Sequence, residues 1–206
     1  GALLSASTFG TGNAGNLEIE ARDRVVFEGT SANGQFRSAA TSRVESGAEG
    51  AGGNVVIRTS SLEVTNGAQL QSNTLGTGNA GNVVIAARDR VVFEGTSAAL
   101  SSVGEGATGV GGNVVIEAGT LDVLNGAQLL ANTLGTGNAG NIEITARDRV
   151  TFKGPGADGQ FLSAAFSDVD EGARGNGGNV VITASMLEVL NGARLVANTR
   201  GNGNAG

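Results

Sequence analysis

The sequence predicts an all-β protein built as a parallel β-helix, also called a β-solenoid. Three observations lead to this prediction. One motif recurs along the whole chain, each copy contains short runs in which apolar and polar residues alternate, and glycine and asparagine separate these runs. The 206 residues include 36 Gly but only seven Phe and no Trp or Tyr. Such a composition favours a narrow core of small aliphatic side chains enclosed by many tight turns.

The internal repeat defines one array over residues 1–206. The segment TGNAGN begins at Thr11, Thr77 and Thr136, which gives units at about 11–76, 77–135 and 136–201. The middle unit is seven residues shorter because the stretch from position 31 to 54 shrinks to the stretch from 97 to 113. A length change confined to one segment of a repeat indicates a surface loop or a turn beside one strand.

Each unit contains two half-units, because Gly-Asn followed by a branched apolar run recurs twice per unit. The asparagines of this motif are Asn16, Asn54, Asn82, Asn113, Asn141 and Asn179. Every half-unit holds three strand-like runs, of which residues 17–21, 25–27 and 68–72 are examples. Period-2 alternation is typical of half-buried strands, and the intervening Asn-Gly and Gly-Gly-Asn segments are typical of turns.

Three strands per half-unit predict a triangular coil, and six half-units predict about six coils. Because one coil cannot bury its apolar face alone, each strand must pair in parallel with its equivalent one coil away. We therefore expect interior stacks of equivalent residues along the axis. The first stack is Leu17, Val55, Val83, Val114, Ile142 and Val180, the second is Ile19, Ile57, Ile85, Ile116, Ile144 and Ile182, and the third alternates Phe27, Phe93 and Phe152 with Val64, Val123 and Val189.

Composition also excludes several classes of function. The formal charge of −6, without clustered Lys or Arg, argues against a nucleic-acid partner. No apolar run approaches the ~20 residues of a membrane helix, so membrane insertion is not expected. With no Cys, His or Tyr, the chain lacks three of the side chains used for acid–base or nucleophilic catalysis. We therefore expect no enzyme activity and predict no catalytic, cofactor-binding or metal-binding residues.

The recurring asparagines are the first candidate binding site. A ligand is one interpretation of the Gly-Asn ladder, and hydrogen bonding along the axis is the interpretation that we favour. The same holds for the asparagines of the Asn-Gly turns and for those that follow the third runs. These are Asn66, Asn125 and Asn191, and Asn73, Asn132 and Asn198.

The Arg-Asp-Arg triplets at 22–24, 88–90 and 147–149 form the second candidate, at a corner between the first and second runs. They could form a charged rail for anionic glycans. The alternative, which we favour, is an ion-pair cluster at a turn, in which an exposed pair contributes about 0–1 kcal/mol.

Acidic residues offer two further candidates. A glycosidase pair could be sought among the repeated carboxylates Glu18, Glu20, Glu28, Glu94 and Glu143. However, an active site normally breaks a repeat in one place, and these carboxylates follow the repeat. The local acids Asp168, Asp170 and Glu171 have no counterparts in the other units. They could hold Ca²⁺, although we favour a solvated acidic loop.

Two glycine-based motifs are not supported. Calcium-binding nonapeptide repeats need Asp and a nine-residue period, whereas Asn and a longer period occur here. A phosphate-binding loop needs a Lys after the glycines and a following helix, and neither is indicated.

An apolar stripe is expected on the outer surface. The second residues of the first runs should point outward, and three consecutive ones are the valines Val56, Val84 and Val115. Such a stripe can mark an interaction face. It can equally reflect the β-propensity of valine.

The motifs together resemble a known group of proteins. TFGTGNAGN, ARDRVVFEGT and the pair GGNVVI and NGAQL are similar to repeats of filamentous-haemagglutinin-like exoproteins, particularly the large cyanobacterial ones. The resemblance covers the entire chain and implies a right-handed parallel β-helix. It also implies two-partner secretion, an extracellular or outer-membrane-associated location, and a role in adhesion or surface filaments.

Both ends of the chain fall within the repeat. Gly1 aligns with Gly67, where a third run begins, and Gly206 aligns with Gly15, just before a first run. Neither end carries a capping segment of the kind that solenoids need for solubility. We therefore expect a fragment of a longer repeat region, whose partners are flanking repeats or neighbouring copies.

Three functions remain open at this point. The first is a rigid stalk or fibre segment of a secreted surface adhesin. The second is a self-assembling extracellular filament subunit. The third, which we favour least, is a glycan-binding or carbohydrate-active β-helix that recognises cell-surface glycans.

Overall fold

The computed structural model describes residues 1–157 and 159–206, and over these residues the chain is all-β without a helix. Its fifteen strands are β1 Leu3–Ser5, β2 Leu17–Glu20, β3 Arg24–Glu28, β4 Ala39–Thr41, β5 Val55–Thr65, β6 Gln69–Gln71, β7 Val83–Glu94, β8 Ala98–Leu100, β9 Val114–Leu124, β10 Gln128–Leu130, β11 Ile142–Lys153, β12 Ala164–Phe166, β13 Val180–Thr183, β14 Met186–Leu190 and β15 Arg194–Val196.

These strands form two parallel sheets between which the chain alternates. The short-strand sheet has the order β1-β4-β6-β8-β10-β12-β15. The long-strand sheet has the order β13-β11-β9-β7-β5-β2, with β3 beside β5 and β14 beside β11. Every pairing between named strands is parallel, and each strand pairs with its equivalent in the adjacent half-unit. This arrangement is consistent with a parallel β-helix.

The expected interior stacks are present. In the long-strand sheet, Val55 pairs with Leu17 on one side and Val83 on the other, and the isoleucines and the Phe–Val alternation continue in the same register. Thirteen of these eighteen side chains are buried in a single core that runs through both sheets. Leu17, Ile19, Val180 and Ile182 on the terminal strands are partly buried, and Val189 on β14 is 41% exposed. Equivalent residues stack because strands pair at about 4.8 Å, a spacing at which apolar side chains touch along the axis.

The first two predicted runs are less separate than expected. They join into one continuous strand in β5, β7, β9 and β11, and only β2/β3 and β13/β14 remain divided. The register shifts between Thr59 and Ser61 of β5 where β7 carries one additional residue. That additional residue belongs to the Arg-Asp-Arg triplet, which in β7 lies at a register shift within a continuous strand. In the first unit, Arg22 and Asp23 lie in a bend between β2 and β3.

A line of isolated parallel bridges lies where the chain passes from a strand of the short-strand sheet to the next strand of the long-strand sheet. It includes Thr8, Val44, Thr74, Val103, Thr133, Val169 and Thr199. The five inner members of this line, from Val44 to Val169, are fully buried. Threonine and valine therefore alternate at one interior position of successive half-units.

Two kinds of turn explain the abundance of Asn and Gly. In the Asn-Gly turns, Asn66 has φ of 55° and Gly67 has φ of 86°, and the equivalent turns at Asn125 and Asn191 agree. Asparagine and glycine tolerate this left-handed region. At Gly81, the backbone approaches the previous half-unit so closely that a Cβ would overlap the Gly53 carbonyl.

The valine stripe lies on the outer side of the long-strand sheet, as predicted, but it is only half-exposed. Val56, Val84 and Val115 are paired in register and intermediate in burial. The equivalent Val181 is 51% exposed because it lies on the edge strand β13.

The alternating interior position yields a prediction for stability. The hydroxyls of Thr74 and Thr133 are buried and have no hydrogen-bond partner among the described residues. An unpaired buried hydroxyl costs about 1–3 kcal/mol. Thr74→Val or Thr133→Val should therefore raise the free energy of unfolding by about 1 kcal/mol, measured by urea denaturation. The reverse control, Val103→Thr, should lower it, and a loss of stability in Thr74→Val would contradict the assignment.

Candidate functional sites

The Gly-Asn ladder is a continuous hydrogen-bond chain. The side-chain Oδ1 of each asparagine accepts the backbone N–H of the equivalent asparagine in the next half-unit. This connects Asn16 to Asn54, Asn54 to Asn82, Asn82 to Asn113, Asn113 to Asn141 and Asn141 to Asn179, at 2.8 to 2.9 Å. The expected hydrogen bonding along the axis is confirmed. It joins a side-chain oxygen to a backbone N–H, and it does not join one asparagine side chain to the next.

A second ladder begins three residues earlier in the sequence. Asn13 accepts from the N–H of Ala51 at 2.8 Å, and Asn79 accepts from Val110 at 2.9 Å. Where the repeat carries Ala51 or Val110, the position can donate its N–H but cannot offer a side-chain acceptor. Asparagine is therefore used where it completes backbone hydrogen bonds between half-units.

The third residues of the Arg-Asp-Arg triplets reach across the long-strand sheet. Arg24 pairs with Glu63, Arg90 with Asp122 at 3.1 Å, and Arg149 with Asp122 at 3.4 Å and with Glu188 at 3.9 Å. Asp122 is nearly buried between its two arginines. The ion pairs thus join adjacent half-units. Asp122 was not expected here from the sequence, although its position two residues beyond Thr120, the register partner of Arg90, could have indicated it.

The first residues of two triplets bond to the polypeptide of earlier half-units. Arg88 Nη2 donates to Ser60 Oγ, and Arg147 Nη2 donates to the Arg88 carbonyl oxygen at 2.9 Å across the small Gly119. Arg58, Arg88 and Arg147 surround an open groove of about 480 Å³ with alanines on its floor. These contacts support the structural interpretation of the triplets, while the groove leaves their outer N–H groups accessible.

Three of the five repeated carboxylates have structural partners, whereas Glu20 and Glu143 are exposed. Glu18 forms an ion pair with Arg58. Glu28 and Glu94 accept hydrogen bonds from the side chains of Asn66 and Asn125, at 3.2 and 2.9 Å. These bonds hold the positive-φ turns against the preceding half-unit. The structure gives these carboxylates a role in turns and ion pairs that is repeated along the array.

The local acids form part of a mixed cluster with one arginine. Arg200 Nη2 lies 3.2 Å from Asp168 Oδ2 and 2.6 Å from Asp170 Oδ1, and Asn132 donates to Asp170 at 3.3 Å. Glu171 is exposed. No group of three acidic, His or Cys side chains among the described residues is arranged to hold a metal ion.

Asp168 differs from its acidic neighbours because its side chain is only 3% exposed. Burial raises the pKa of its carboxyl, and the negative charge of Asp170 raises it further, while Arg200 opposes both effects. The expectation of a solvated loop is therefore wrong for Asp168, which is buried next to the isolated bridge of Val169 and pairs with Arg200.

Two hairpin-like loops stand beside the short-strand sheet where the first and third units are longer than the second. Antiparallel bridges close them, from Thr30 to Arg37 in the first unit and from Pro155 to Leu162 in the third. This confirms the surface loop expected from the length difference. Arg37 of the first loop donates to the Gly67 carbonyl at 3.1 Å, and the second loop packs against Gly126. Each loop therefore leans toward the shorter middle unit.

The shorter middle unit leaves a notch between the two loops. Arg37 and Phe161 line its sides, and the turn at Thr96 and Ser97 lies beneath with residues of β6, β8 and β10. Its volume is about 170 Å³. The length difference was expected from the sequence but the notch was not, because alignment of the repeats does not show that both loops lean toward the gap.

Comparisons with known proteins add no further assignment. No protein-family model matches the chain, and neither a curated protein nor a solved structure resembles it significantly. Over the described residues, no helix is long and apolar enough to cross a membrane. The candidate sites must therefore be judged by their own geometry.

The asparagine ladder predicts a loss of stability on substitution. Asn113→Ala removes the acceptor of the Asn141 N–H and should lower the free energy of unfolding by about 1–2 kcal/mol in urea denaturation. Asn204→Ala is a matched control because its side-chain oxygen accepts no hydrogen bond from the described residues. Equal stability of the two variants would favour the ligand interpretation of the ladder.

The raised pKa of Asp168 predicts a pH-dependent effect. At pH 7 the charge of the buried Asp168 carboxylate lowers the free energy of unfolding. This destabilisation disappears as the pH falls through the raised pKa toward the ordinary value of 3.8, because the carboxyl becomes protonated. Asp168→Asn should therefore stabilise the protein most at pH 7 and progressively less toward pH 4, measured by thermal unfolding. The exposed Asp148→Asn serves as control, and a gain for Asp168→Asn that grows on acidification would contradict the assignment.

Proposed function

We propose that the chain is a rigid structural segment of a secreted cell-surface protein, an adhesin stalk or fibre. In this proposal it is a right-handed parallel β-helix of about six coils with three strand segments per coil, and it is not an enzyme. The observation that carries the proposal is the asparagine ladder, which connects every half-unit from Asn16 to Asn179 without interruption. A ladder of this kind provides axial order, which is the property that a stalk requires.

The electrostatic contacts also favour a structural role. The arginines at the third positions of the triplets pair with carboxylates of adjacent half-units, Arg147 reaches the Arg88 carbonyl two half-units away, and Glu28 and Glu94 hold turns. Contacts that are repeated along an array add stiffness without defining one reactive centre. The resemblance of TFGTGNAGN and ARDRVVFEGT to filamentous-haemagglutinin-like repeats supports two-partner secretion and an extracellular, outer-membrane-associated location.

A self-assembling filament subunit is the second candidate, and exposed apolar side chains favour it. Leu3 on β1 is 65% exposed, and on the opposite edge Met186 and Leu187 of β14 are 55% and 48% exposed. Unpaired strand edges with apolar side chains favour pairing with another strand. In either case, the partners are flanking repeats of the same chain or neighbouring copies.

One experiment separates the two candidates. A stalk segment should stay a monodisperse particle of constant size, about 30 Å along the axis from six rises of ~4.8 Å, at all concentrations in small-angle scattering and electron microscopy. A filament subunit should lengthen along the axis with concentration, and Leu187→Lys should suppress the lengthening while Thr145→Lys, at an exposed position of β11, should not. Association into irregular aggregates without axial lengthening would contradict both candidates.

A further inference from the structure

The notch between the two loops is the place where the described structure departs most from its own repeat. In the first and third units a loop connects β3 to β4 and β11 to β12, whereas in the middle unit a short turn connects β7 directly to β8. Both loops lean toward this gap. A recess that occurs once in a regular array is a better candidate for binding than a feature that is repeated along it.

Ser97 gives an independent indication that the notch is incomplete. In the first unit, the equivalent Ser38 donates to the Glu28 carbonyl at 2.6 Å, and in the third unit Ser163 donates to the Lys153 carbonyl at 2.8 Å. Ser97 is 1% exposed and lines the notch, yet its Oγ has no partner among the described residues. The short turn has thus left one buried hydroxyl unpaired where its two counterparts are paired, and such a group normally finds a partner.

The remaining lining combines one aromatic ring, two amides and one cation. The Phe161 side chain is 44% exposed, and Gln69 and Gln128 contribute amides from the short-strand sheet. Gln69 Oε1 accepts from Gln71 and Gln128 Nε2 donates to the Leu162 carbonyl at 3.5 Å, so Gln69 Nε2 and Gln128 Oε1 are the groups left for a ligand among the described contacts. Arg37 is the only charged residue among the described lining residues. It uses Nη1 for the Gly67 carbonyl, and a guanidinium has five N–H donors, so donors remain for an anion.

We propose that this notch binds a single sugar residue that carries a carboxylate, such as a hexuronate. The ring would lie against Phe161, its hydroxyls would meet the two glutamine amides, and its carboxylate would face Arg37, whose planar fork suits a carboxylate. At ~30 Å³ per water molecule, a volume of about 170 Å³ holds about six waters, which is the scale of one sugar ring. This binding goes beyond the structural role and does not depend on it.

The test is a titration of the intact chain with methyl β-glucuronide and with methyl β-glucoside, followed by ligand-observed NMR. We expect saturable binding of the glucuronide, about tenfold tighter than that of the glucoside, because a charge-assisted hydrogen bond to Arg37 favours the acid. Arg37→Gln should abolish this preference. Phe161→Ala should weaken both glycosides by about tenfold, because it removes the aromatic surface.

Matched controls are present in the chain itself. Phe36→Ala alters the exposed phenylalanine of the first loop, which does not line the notch, and Arg194→Gln alters an exposed arginine of the same sheet. Both should bind like the parent chain. Replacing residues 96–98 by the first-unit sequence 30–39 should fill the notch and remove binding while circular dichroism stays β-rich.

Several results would overturn the proposal. These are the absence of saturable binding by either glycoside, equal affinity for the two, retention of binding in Phe161→Ala, or equally tight binding of inorganic sulfate. None of them would alter the particle size and its concentration dependence, which test the structural role, so the two proposals fail separately.

Discussion

The interaction on which this structure depends is in-register parallel pairing between equivalent strands of successive half-units. Pairing sets a spacing of about 4.8 Å along the axis, and every side chain then has its own equivalents as nearest neighbours on both sides. Identical branched aliphatic residues stack well at this distance, which is why Ile57 and Ile85 recur at one position. Like charges would repel at the same distance. The array meets this constraint by facing Arg90 with Asp122 and Glu18 with Arg58 on adjacent half-units.

The same spacing explains the small and amide side chains. Gly81 lies so close to the preceding backbone that no Cβ fits, and Asn82 next to it supplies an acceptor for a backbone N–H that the sheet leaves open. Glycine thus permits the close approach, and asparagine satisfies the polar groups that the approach brings together. The Gly-Asn motif could be taken for a ligand-binding loop in the sequence, but in the structure it connects successive half-units.

Much of the fold was predictable because repetition converts sequence position into spatial neighbourhood. The pairing of Val55 with Leu17 and Val83 followed from alignment of the repeats alone. The continuity of the first two runs was not predictable, because alternation cannot distinguish a bend from a register shift within one strand. The burial of Asp168 was also missed, since local sequence places acids in a loop, and only the packing of neighbouring half-units, with Arg200 beside it, buries this one.

Where the repeat is regular, equivalent positions show which hydrogen bond each polar group makes. A binding site is best sought where a polar group lacks the hydrogen bond that its equivalents make. Ser97 is such a position, because the same serine in two other half-units has a carbonyl partner that the shortened turn withholds. A deletion that costs a buried hydrogen bond is unfavourable unless something offsets it. In a solenoid, internal comparison therefore replaces comparison with relatives, and for this chain it favours the notch beside Phe161 over the uniform faces of the array.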